Sequence, residues 1–105
     1  MSKKFIVGVT SCMIGIAHTY MAAEAMEKAL KKAGCECKVE LQGANGTENE
    51  LTEEDLKRCD AALIAADLRI KKIERFDPIP TLTVGTDEVI KDGDGIVAEL
   101  LEAIE

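Results

Sequence analysis

The sequence is poor in aromatic residues, with one tyrosine, two phenylalanines and no tryptophan among 105 residues, so any core it builds must be aliphatic. It contains no run approaching the roughly 20 apolar residues of a membrane span. The opening MSKK leads straight into a short strand-like segment, not a secretory hydrophobic region, and the expectation is a cytoplasmic protein. Basic residues are also outnumbered, 13 against 20 acidic ones. The formal net charge is -7, with acidic residues spread over the whole length, which argues against a nucleic-acid phosphate surface and leaves proteins or small molecules as partners. Cysteine is present four times, as Cys12, Cys35, Cys37 and Cys59, but the spacing is uneven and a chain of this size builds a core without staples, so reduced thiols are expected. The CEC segment lacks a second ligand pair for zinc, and no metal or other cofactor is expected.

What is present suits a small α/β domain, because nearly half of the residues are apolar and nearly a third charged. The length allows one sizeable core, so residues 1–105 are read as a single domain. KKFIVGV is a nearly unbroken β-branched apolar run, the signature of a central parallel strand, ending near Thr10. From Ile16 the positions Ile16, Tyr20, Ala23, Met26, Leu30 and Ala33 step by three or four and predict a helix that ends at Lys31, Lys32 and Gly34. ECKVEL alternates, with Glu36, Lys38 and Glu40 turned outward, and predicts an edge strand followed by a polar loop, QGANGTEN. Thr52 and Asp55 resemble a capping box that opens a short helix to Arg58. AALIAAD is a second buried strand, and LRIKKIERF a brief helical turn. Pro78 and Pro80 then force an extended approach to TLTV, an edge strand, and a last helix carries Val97, Leu100, Leu101 and Ile104 with Asp94 as N-cap. Strands alternating with helices predict a Rossmann-like three-layer α/β/α fold. Its sheet would be open, four-stranded and parallel, in the order 2-1-3-4, with helices on both faces.

In such a sheet, ligands sit beyond the carboxyl ends of the strands where the crossovers diverge. The loop Ser11, Cys12, Met13, Ile14 and Gly15 falls there and runs into the first helix at Ile16, Ala17, His18 and Thr19. The free N–H groups and positive dipole end of that helix attract an anion, and Gly15 permits close backbone approach. The same field favours the thiolate of Cys12, the nucleophilic form. Five residues separate Cys12 from His18, a spacing that returns the sixth residue to the ligand from the first helical turn. Cysteine-dependent phosphatases have arginine there, whose permanently charged fork favours hydrolytic turnover. Histidine offers one donor and a titratable charge, which suits a carrier of phosphate. A cysteine at a strand end is often merely a small buried hydrophobe, and a lone histidine is usually an ordinary polar residue. Here loop position, glycine and spacing agree on function. For Cys35, Cys37 and Cys59 the structural reading prevails. Thr10 and Ser11 supply hydroxyls that need no functional reason, and Asp67, ending the third strand, is the acid that a phosphatase would require.

The stretch CMIGIAHTYMAAEA resembles the loop of the IIB component of the fructose-type bacterial sugar phosphotransferase system, which reads C-P-T-G-I-A-H-T. The resemblance continues through VELQGANGTENELT and AALIAADLRIKKIERF and covers nearly the whole chain. It implies that Cys12 accepts a phosphoryl group from a phosphohistidine on a IIA component and passes it to a sugar, fructose or fructose-like, held by a membrane IIC component. The chain departs from that loop at Met13, where proline is usual, and at Ile14, where threonine or serine is usual. A rigid turn and one hydroxyl donor are therefore missing, although the backbone amides remain. Two rivals are a low-molecular-weight cysteine phosphatase or arsenate reductase, and a non-catalytic regulatory module with a degenerate loop.

Overall fold

A computed structural model describes residues 4–11, 16–43, 46–67 and 69–104, apart from the side chains of Ile16 and His18. The elements are β1 (Phe5–Ser11), α1 (Ile16–Lys32), β2 (Glu36–Gly43), β3 (Gly46–Glu48), α2 (Glu53–Arg58), β4 (Ala61–Ala66), a 3-10 turn (Ile73–Phe76), β5 (Thr81–Val84) and α3 (Thr86–Ile104). They form an α/β domain around a five-stranded sheet in the order β3-β2-β1-β4-β5. β1 pairs in parallel with β2 and β4, and β4 in parallel with β5.

The expected four-stranded, wholly parallel sheet is corrected in number and order. Gly46–Glu48, expected to lie in a loop, adds a short strand antiparallel to β2, which is therefore not an edge. The register pairs Leu41 with Glu48 and Gln42 with Thr47, so the chain folds straight back on itself after Gly43.

β1 and β4 occupy the middle because they have no polar face to give to solvent: Phe5 to Thr10 and Ala61 to Ala65 are buried. Successive residues alternate between two cores. On one face Ile6, Val39, Leu63 and Ala65 meet Ala22, Met26 and Leu30 of α1 and Val89, Val97 and Leu100 of α3. On the other, Phe5, Val7, Val9 and Ile64 meet Leu51, Ile70 and Phe76, with Leu56 of α2 packed against them. Gly8 lets α1 lie directly on the β1 backbone, since a Cβ there would run into Met26 Sδ.

Local chemistry fixes the shorter elements. Thr52 Oγ1 accepts from Asp55 N–H at 3.1 Å while Asp55 Oδ2 accepts from Thr52 N–H at 2.9 Å, the expected reciprocal cap of α2. Two helical expectations need correction. Tyr20 is 45% exposed and points away from the core, where Thr19 and Ala22 are buried instead. α3 begins at Thr86, far earlier than its apolar stripe suggested, and is broken at Asp92, whose backbone leaves helical angles. Asp92 Oδ1, not Asp94, accepts from an amide of the following turn, Gly95 N–H at 3.2 Å. Asp94 pairs with Lys32 at 2.9 Å.

Candidate functional site

β1, β2 and β4 run parallel, so their carboxyl ends at Ser11, Gly43 and Ala66 share one edge of the sheet. Cys12, Met13, Ile14 and Gly15, which carry the sequence-based site, lie outside the described residues, as does the side chain of His18. The elements on either side are described. β1 ends at Ser11 and α1 begins at Ile16, so the cysteine loop connects the end of a central strand to a helix amino terminus.

Around that junction the structure brings together Thr10, Ser11, Thr19 and Asp67. Thr10 is fully buried and donates from Oγ1 to the Thr19 carbonyl at 3.3 Å, tying strand to helix across the loop. Ser11 is partly exposed, and its carbonyl accepts from Asp67 N–H at 3.2 Å. Ala17, in the first turn of α1, is exposed.

Asp67 has a task of its own. Its Oδ1 accepts from Thr86 N–H at 3.1 Å and its Oδ2 from Thr86 Oγ1 at 2.7 Å. The carboxylate thus holds the start of α3 against the end of β4, satisfying an amide that the helix itself leaves over. A carboxylate engaged at both oxygens is poorly disposed to protonate a leaving group, and this weighs against a phosphatase.

A second polar group at the same edge escaped the sequence reading. Glu40, expected to face solvent, is 1% exposed. Its carboxylate receives the guanidinium fork of Arg75, with Nη1 to Oε1 at 3.0 Å and Nη2 to Oε2 at 2.6 Å. Gln42 Nε2 donates to Oε2 at 2.8 Å, and Leu51 N–H to Oε1 at 2.9 Å. Burial alone would push the Glu40 carboxyl up, but the bonds from Arg75, Gln42 and Leu51 outweigh it and hold the group below the ordinary carboxylate value. Gln42 passes the order onward, accepting from Lys71 N–H at 2.8 Å and donating to the Lys71 carbonyl at 3.2 Å. The segment after β4 is thereby stitched to the end of β2. The separate stretches VELQG and IERF already contained the participants, and only the fold reveals that they meet.

Cys35 is buried, Cys37 and Cys59 are half-buried, and all three are free thiols. Burial pushes each above its ordinary value, away from the reactive thiolate. Among the described residues no cluster of histidine, cysteine or carboxylate side chains is arranged to hold a metal ion, and no helix is long and apolar enough to cross a membrane.

Residues 7–99 match the family described as the "PTS system, Lactose/Cellobiose specific IIB subunit". The chain belongs to the IIB family of the sugar phosphotransferase system. Over 95 residues it is 45% identical to the "PTS system fructose-like EIIB component 2" of Escherichia coli (strain K12), covering 90% of each chain. Over 96 residues it is 48% identical to the "PTS system 2-O-alpha-mannosyl-D-glycerate-specific EIIABC component" of the same strain, where it spans 91% of this chain and 15% of that protein. The crystal structure of a predicted fructose-specific IIB from Escherichia coli superposes with a TM-score of 0.92 at 33% identity, covering 97% of this chain and 90% of that one. These matches make the chain a fructose-type IIB domain, a phosphotransferase component that carries a phosphoryl group in sugar transport. These matches do not favour the phosphatase, arsenate reductase or regulatory-module readings.

Proposed function

We propose that Cys12 is the phosphoryl carrier, receiving the group from a phosphohistidine on a IIA protein and donating it to a sugar bound by a membrane IIC protein. The thiolate sulfur attacks phosphorus, an S–P bond forms as the P–N bond breaks, and the departing imidazole nitrogen keeps the electron pair and takes up a proton. In the second step a sugar hydroxyl attacks phosphorus, gives up its proton, and the S–P electrons return to Cys12 as thiolate. No oxidant or metal is needed for either balance.

The observation that carries this reading is the connectivity of the junction. A loop of four residues joins the end of β1 to the amino terminus of α1, so a phosphoryl group on its first residue would meet unpaired helix amides and the positive end of the helix dipole. His18, from the first turn, adds one donor and a charge that responds to pH. Ser11, Met13, Ile14, Gly15, Ile16, Ala17 and Thr19 supply the surrounding backbone. Thr10 ties the end of β1 to α1, and Asp67 steadies the neighbouring α3.

The fructose-like name of a relative that matches along nearly its whole length supports a fructose-like sugar, and fused EIIABC relatives support IIA and IIC as partners. A cytoplasmic location at the inner membrane face follows from that partnership, and residues 1–105 act as one domain. The test is incubation with a phosphohistidine IIA followed by intact-protein mass spectrometry. The expected result is one added phosphoryl group, and an unchanged mass would refute the proposal.

A further inference from the structure

The segment following β4 is held more firmly than a surface connection requires. Asp67 N–H is bonded to the end of β1, Ile70 is 4% exposed in the core that holds Val7 and Phe76, and both backbone groups of Lys71 are bonded to Gln42. Lys72 adopts left-handed angles, with φ of 59°, a conformation that favours glycine and persists here with its ammonium paired to Glu50 at 2.8 Å. Such immobilisation fixes whatever the intervening side chains present.

What they present is positive charge. Lys72 and Arg75 are neutralised by Glu50 and Glu40, but Arg69 and Lys71 are exposed and have no carboxylate at ion-pair distance among the described residues. In a chain of net charge -7, two unpaired cations stand within four residues of Asp67, which is bonded to Ser11, the residue before Cys12. Exposed cations on a fixed segment beside the site suit recognition of an anionic partner surface.

We propose that Arg69 and Lys71, fixed by the Gln42–Glu40–Arg75 clamp, recognise an acidic surface on the phosphohistidine donor protein. This rests on the carrier reading above. Charge complementarity selects the occupant, because the donor brings a phosphoryl dianion to this edge, where Arg69 and Lys71 have no carboxylate partner among the described residues. An anionic membrane is the poorer fit, since two cations contribute only about 1 kcal/mol each near such a surface.

The test uses the IIA portion of the Escherichia coli mannosylglycerate EIIABC relative in its phosphohistidine form, with that protein's own IIB portion as positive control. Arg69→Ala/Lys71→Ala should lower the second-order transfer rate roughly tenfold at low salt, chiefly through KM, and the difference should vanish near about 0.5 M salt. Gln42→Ala should reproduce the KM effect with both cations present, while alkylation of Cys12 stays at the wild-type rate in every variant. Wild-type transfer and salt dependence in the double variant would overturn the docking role alone. A parallel loss of alkylation would assign the cations to the thiol, and lost binding to anionic-lipid vesicles with unchanged transfer would assign them to a membrane; either overturns the proposal. Absence of transfer to the wild-type chain, with the control labelled, would refute the carrier reading itself.

Discussion

Replacing Arg75 by leucine probes the buried polar group most sharply. The substitution removes two charge-assisted bonds, at 3.0 and 2.6 Å, from a carboxylate on a residue that is 1% exposed, leaving Glu40 with Gln42 and the Leu51 amide. Breaking one side of a buried ion pair costs about 3–5 kcal/mol, because a charge stays buried without its counterion. Against a total stability of about 5–15 kcal/mol for a small domain, the variant should be marginal at neutral pH. The pH dependence carries a sign that distinguishes this cause from simple loss of packing. In the wild type the Glu40 carboxyl is held below the ordinary 4.5, so its stabilisation is present above that value and is lost as pH falls through the lower, folded-state value. In Arg75→Leu the burial effect loses its main opponent and the folded-state value moves up. Protonation then relieves the penalty, and stability should rise between pH 7 and pH 5 instead of staying level. Urea unfolding followed by far-ultraviolet circular dichroism at both pH values measures this, and suits a chain without tryptophan. A loss below about 1 kcal/mol at pH 7, or the same loss at both pH values, would mean that Arg75 does not offset a buried Glu40 charge. Glu40→Met/Arg75→Met should recover most of the deficit, since an apolar pair leaves no charge behind.

Replacing Cys35, Cys37 and Cys59 together by alanine or valine should leave phosphoryl transfer intact at a modest loss of stability, because these thiols are packed and their values are raised by burial; kinetics beside circular dichroism decides it. Met13→Pro/Ile14→Thr should stiffen the loop and return a hydroxyl donor, lengthening the lifetime of the phosphorylated protein by roughly tenfold for a bond worth about 1.5 kcal/mol. Hydrolysis of both phosphorylated forms at one pH checks this, and a shorter lifetime in the restored loop would contradict the donor argument.

The strongest elements were legible in the sequence because their signals are local. The apolar runs of β1 and β4, the Thr52 and Asp55 cap, and the two prolines before β5 each act within a few residues. Long-range partners were not. Glu40 sits in an alternating strand and looks like any solvent-facing carboxylate until Arg75, 35 positions later, is known to close on it. β3 is three residues long and has no apolar pattern of its own, although the Asn45-Gly46 pair at its start is a hairpin signal that could have found it. The first half of α3 hid because Gly93 and Gly95 read as a polar turn, whereas Gly93 sits against the Ala25 carbonyl and the Ala29 Cβ at a helix contact. Tyr20 fitted the helical period of α1 but lies one position off the true stripe, where Thr19 is buried. For the site itself, the sequence supplied the cysteine, glycine and histidine, and the fold supplied the clamp on the Lys71 backbone.

Peptide mapping after exposure to a phosphohistidine IIA shows whether the phosphoryl group resides on Cys12. The expected product is a single modified peptide, the one that contains Cys12, with no incorporation in a Cys12→Ser protein that keeps its circular dichroism. Modification on His18, or label retained at the wild-type level in Cys12→Ser, would contradict the Cys12 assignment.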